Sequence, residues 1–273
     1  MAESVDALVS NTSGRKAVPV RPRLRVQIAK HMKISFHSYK GTLIAITIFG
    51  IMMAALEAIV VIYLRQIYYP QEFEAQPTVS FLQTVPIEWL REFATIVMLL
   101  TVSMIAGKNF SSCLAFLLFT FGIWDIFYYV WLFILAGWPE SLLTWDLLFL
   151  IPVPWVSPVL APIICSLTMI LIALYILNHV SKGLRIRFGL KQWLLIALGV
   201  IAILFTFMQD YTAILIQEYL LSGLDGLIQS PHFQQTISQF IPTHFNWPIF
   251  AIGEILIIIG FYLSKFVSTN SDR

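Results

Sequence analysis

Charge is scarce in this chain. Asp, Glu, Lys and Arg make up 12% of its 273 residues, about half the quarter that a soluble domain carries. Because 58% of the residues are hydrophobic, a globular core could not hide the apolar surface, and the expected solvent is lipid. Cysteine is nearly absent. Cys113 and Cys165 both fall in apolar runs, which excludes a disulfide framework and reads them as small buried hydrophobes. Hydrolase and nucleotide motifs are missing: there is no GxSxG, no HExxH and no Walker loop. The balance therefore leans away from an enzyme. No histidine sits in the middle of an apolar run, so a haem held by facing histidines is disfavoured. The cofactor stays unknown, with an outer metal site of His232 or His244 and loop carboxylates left open. The basic stretch 182–191 (KGLRIRFGLK) is expected to meet lipid headgroups, not nucleic acid.

Long apolar runs are abundant. Six segments fit the rule of about 20 residues per crossing: 42–64, 93–107, 111–138, 155–177, 192–211 and 246–263. They predict an all-α fold, a polytopic membrane helix bundle with about six transmembrane helices. Residues 1–40 are polar and basic, and form a cytoplasmic N-terminal segment expected to be partly disordered or to lie on the membrane surface. The first apolar run is too long for a cleavable signal and reads as an anchor. Residues 41–266 make the transmembrane domain, and 267–273 a short cytoplasmic tail.

The scarce charges are sorted by sign. With the N-terminus inside, 15 of the 17 Lys and Arg residues fall in cytoplasmic segments, and only Arg65 and Arg91 do not. This bias predicts a multi-pass protein of a cell membrane, the inner membrane of a two-membrane cell, with both termini cytoplasmic. Carboxylates gather on the other side, at Glu72, Glu74, Glu88, Glu92, Glu140, Asp146, Glu218 and Asp225. Trp89, Trp138, Trp145, Trp155 and Trp247 fall at the same outer boundary, where amphipathic rings settle.

Two outer segments do not read as simple spans. In 139–162 (PESLLTWDLLFLIPVPWVSPVLAP) the run Leu142 to Ile151 is too short to cross, and Pro152, Pro154, Pro158 and Pro162 break the remainder of the segment. Lipid-exposed irregular backbone does not occur in hydrocarbon. This proline-rich segment is therefore expected to be re-entrant against protein or interfacial. Residues 212–244 form a long outer connection.

Three acids lie inside spans: Glu57, Asp125 and Glu254. A carboxylate there costs at least about 2.5 kcal/mol. Counting about 1.5 Å per residue, Glu57 and Glu254 sit roughly 10 Å below the outer boundary and Asp125 roughly 20 Å. They are read as a proton or cation site opening outward, with Asp210 and Asp146 at its mouth. No Lys or Arg is expected within the spans. Arg65 is the nearest cation and could pair with Asp146 or Glu254. The aromatic stretch around Asp125 marks Trp124, Tyr128, Tyr129 and Trp131 as a pocket for a flat apolar ligand.

Three functions are suggested by different features. The embedded acids point to proton- or cation-linked transport. The lack of catalytic motifs fits a non-catalytic subunit or assembly factor whose acids meet a membrane-protein partner or a second copy of the chain. The aromatic stretch fits a membrane enzyme or redox subunit acting on a lipid or quinone.

Overall fold

The computed structural model describes residues 21–68, 79–227, 242 and 244–268. Glu72, Glu74 and His232 lie outside the described residues, as do residues 1–20 and most of the outer connection after Leu227.

The chain is mostly helical. Helix α1 (Arg21–Tyr68) opens with Pro22 in its first turn, where a missing N–H costs nothing. Helix α2 (Val79–Ala106) contains Pro86. Helix α3 (Phe110–Ala136) starts at Asn109, whose side chain accepts from Ser112 N–H while Ser112 Oγ accepts from Asn109 N–H. This reciprocal cap satisfies two of the helix's orphan donors. The helix ends at Gly137, held at φ 68° with its N–H donated to Phe133 O, a left-handed turn that glycine adopts without steric cost. Helices α4 (Leu160–Val180), α5 (Leu190–Leu227) and α6 (Trp247–Tyr262) come next in the chain.

Among the described residues five helices are long and apolar enough to cross a membrane: Tyr39–Ile67, Pro86–Ala106, Phe110–Ala136, Leu160–Val180 and Leu190–Gln217. The sixth apolar helix, α6, has 16 residues. Their outward faces are greasy. On α1, Ile44, Ile48, Met52 and Leu56 recur every four residues with half or more of each exposed, one stripe of a helix turned away from the protein. Such a surface suits hydrocarbon, not water.

The chain is a helical bundle as expected, and among the described residues two small antiparallel sheets, which were not expected, accompany the helices. Segment 139–162 folds as a hairpin of β1 (Trp145–Phe149) and β2 (Trp155–Pro158), with Asp146 opposite Ser157 and Leu147 opposite Val156. Strand pairing satisfies the backbone that the prolines deny to a helix. The fourth apolar helix consequently begins at Leu160, not at 155. At the other end of α3, β3 (Leu184–Arg187) pairs with β4 (Lys265–Ser268), so the expected tail starts as a strand. The second and fifth helices also outrun their expected bounds: α2 takes in Glu88, Arg91 and Glu92, and α5 runs on to Leu227, through the first part of a connection expected to hold separate helical stretches.

Packing runs α1 on α3, α3 on α4 and α5 on α6. Two close approaches depend on glycine. A Cβ on Gly199 of α5 would stand 2.6 Å from the Gly253 carbonyl oxygen of α6. A Cβ on Gly122 of α3 would stand 2.7 Å from the Ser166 carbonyl oxygen of α4. Small residues let helix backbones touch in this way. Toward the β3–β4 end, the core is a cluster around Phe116, Phe119, Ile172, Ile176 and Phe261.

Candidate functional site: a charged cavity beneath the hairpin

A cavity of about 860 Å³ lies among α1 to α5, with hairpin residues in its wall. Its charged lining comes from four elements: Glu57 and Arg65 on α1, Glu88, Arg91 and Glu92 on α2, Asp125 on α3, and Asp146 on β1. Five carboxylates thus face two guanidiniums, a formal surplus of three.

The two arginines are engaged. Arg65 Nη2 meets Asp146 Oδ1 at 2.8 Å, Tyr129 donates its hydroxyl to Asp146 Oδ2 at 3.1 Å, and the Arg65 guanidinium lies 4.1 Å from the centre of the Trp138 ring. A cation over an indole face is a further favourable contact. This is one of the two pairings open to Arg65 from the sequence. Burial pushes the Asp146 carboxyl above the usual carboxylate range, against the pull of Arg65 and Tyr129.

Arg91 bridges two acids. It forms an ion pair with Glu57 of α1, and its Nη2 meets Glu88 Oε2 at 2.7 Å within α2. The expectation that no Lys or Arg lies within the spans is corrected here. A second span beginning at Phe93 would leave Arg91 outside and Glu57 without a fixed counter-charge, but the helix starts earlier, so Arg91 belongs to the bundle. The signal available in the sequence was the Glu88 and Arg91 spacing of three, which places both on one helix face.

Glu92 serves the hairpin. Its two oxygens lie 2.9 and 3.0 Å from Leu150 N–H, and Trp89 Nε1 donates to Leu150 O at 3.2 Å. One residue at the hairpin tip is therefore gripped by α2 through both its backbone groups.

Asp125 differs from all of these. Among the described residues its one hydrogen bond comes from Ser166 Oγ, 2.7 Å from Oδ2, and neither arginine pairs with it. Gly122, one turn earlier, lets α4 come close enough for Ser166 to reach it.

Of the acids expected to form one site, the cavity joins Glu57, Asp125 and Asp146. Glu254 and Asp210 do not line it. Glu254 is buried on α6, near the Cys165 thiol, and its Oε2 has no hydrogen-bond partner among the described residues. Asp210 on α5 interacts with His244. Of the expected aromatic residues, Trp124, Tyr128 and Tyr129 line the cavity. Trp131 donates its indole N–H to Ile51 O at 3.0 Å and ties α3 to α1. Among the described residues no three of His, Cys, Asp and Glu gather as metal ligands.

No protein-family model matches this chain, and no curated protein or solved structure matches it either.

Proposed function

We propose that this chain is a multi-pass cell-membrane protein that moves a proton or a cation through the cavity, with Asp125 as the carrying group. The observation that supports this reading is the surplus of carboxylates lining one cavity between helices, with Asp125 outside both arginine pairs. An embedded acid without a fixed counter-charge takes up a proton or holds a cation.

The proposed topology has six crossings with both termini cytoplasmic, α6 being the shortest at about 24 Å. Two contacts support it. Ile186 N–H of β3 donates to Ser111 Oγ at the start of α3, 3.0 Å away, and β3 pairs with β4. The start of α3, the 182–191 loop and the strand after α6 therefore share one end, which holds Lys108, Lys182, Arg185, Arg187, Lys191 and Lys265.

The test is flux in liposomes holding a pH-sensitive dye, under an imposed gradient. The purified chain should carry protons, Asp125→Asn should abolish the flux, and Asp125→Glu should retain part of it. Undiminished flux in Asp125→Asn would remove the proposal.

A further inference from the structure

We infer that the cavity takes an organic cation, a single positive charge carried on an apolar, ring-bearing body. The inference rests on the reading of this cavity as a ligand site and names what enters it.

Size comes first. About 860 Å³ is far more than a proton or bare metal ion needs, and falls within the range of roughly 300–1,000 Å³ that holds small organic ligands.

The walls come second. Four lining side chains form a continuous run of rings: Trp124 to Phe149 at 6.3 Å between centres, Phe149 to Trp155 at 5.3 Å, and Trp155 to Phe207 at 6.3 Å. Ring faces cover apolar bodies. They also attract cations, by about 0.5–2 kcal/mol per contact.

Charge comes third and fixes the sign. An anion would enter against a surplus of three carboxylates and would have to take Arg65 from Asp146 or Arg91 from Glu57 and Glu88. A cation meets Asp125, which comes directly after Trp124 on α3 and lies one turn from Tyr128. The carboxylate and the four rings thus line one cavity, Asp125 and Trp124 from α3 and the others from the hairpin and α5. Rings supplying dispersion and a lone carboxylate supplying the counter-charge are the two elements by which proteins hold apolar ammonium-type ligands.

The test compares two probes of one shape and opposite charge. Tetraphenylphosphonium and tetraphenylborate are titrated calorimetrically into the purified full-length chain in detergent, with empty micelles as the blank. The phosphonium should bind saturably at one site. The borate should show only the partitioning seen with empty micelles. Asp125→Asn should weaken phosphonium binding about tenfold or more, as loss of a charged contact of roughly 1.5–3 kcal/mol requires. Helicity and a monodisperse elution profile check that the variant folds.

Equal binding of the two probes overturns the inference without any variant, as do non-saturable phosphonium uptake and unchanged affinity in Asp125→Asn. Phosphonium binding without Asp125-dependent proton flux upholds this ligand class and removes proton carriage by Asp125. Proton flux without phosphonium binding does the reverse.

Discussion

Where the hairpin meets the helices, Arg65 and Arg91 are each bound to carboxylates carried by other parts of the chain or by the same helix face. At the opposite end of α3, Arg187 of β3 stands directly across from Lys265 of β4, and no salt bridge joins either to a carboxylate among the described residues. The difference tracks exposure. Asp146, Glu88 and Glu92 are buried, whereas Arg185, Arg187 and Lys265 are exposed. A charge removed from water needs a partner within reach. A charge left in water needs none, and a cluster of one sign is free to orient the chain in its membrane.

The sharpest way to break this comparison is to remove a cation from the buried end. Arg91→Leu strands Glu57 and Glu88 and is expected to cost about 3–5 kcal/mol, read as a lower thermal midpoint in detergent. Arg91→Leu combined with Glu57→Gln should recover part of that loss. A single variant as stable as the parent would mean that the Arg91 bridge does not hold α1 to α2.

Gly122→Ala places a methyl group against the Ser166 carbonyl and is expected to cost about 1–3 kcal/mol. It should also weaken the Ser166 bond to Asp125, so a change in proton flux should accompany the drop in stability. A neutral result on both would contradict the tight seam.

Glu92→Ala leaves the buried Leu150 N–H without an acceptor, at about 1–2 kcal/mol. Proteolysis should show the consequence locally, with cleavage near residues 150–154 rising more than cleavage elsewhere. Uniform resistance would separate Glu92 from the hairpin.

The smallest effect is expected at the basic end. Lys265→Gln relieves a like-charge pair across β3 and β4 and should leave stability unchanged or raise it by up to about 1 kcal/mol. A clear loss of stability would show that the two ends do not obey different rules.

Much of this architecture was legible in the sequence. Lipid-length apolar runs located the helices, and Arg65 with Asp146 was among the pairings they allowed. The hairpin was not legible. A strand with one wet face alternates, but no residue of β1 or β2 is exposed on either face, so their residues show no apolar–polar alternation. The four prolines then looked like helix breakers with nothing to replace the helix. Arg91 was missed for a related reason. Polar residues at 88–92 marked the edge of a hydropathy window, whereas the helix runs through them because their charges are satisfied sideways, by α1 and by the hairpin. Depth along the sequence also suggested that Glu254 would join Asp125. It does not line the cavity, and rotation about a helix axis is not read from counting residues along it.

The pairing of β3 with β4 has a mechanical consequence. It fastens the chain after α6 to the chain before α5, so these two helices and everything between them form a closed belt held by a four-residue clasp. Replacing residues from Lys265 onward would unfasten it and leave α6 held to α5 chiefly by the seam where Gly199 meets Gly253. A reporter fused beyond Ser268 leaves the clasp shut, whereas one fused after Tyr262 measures an opened protein.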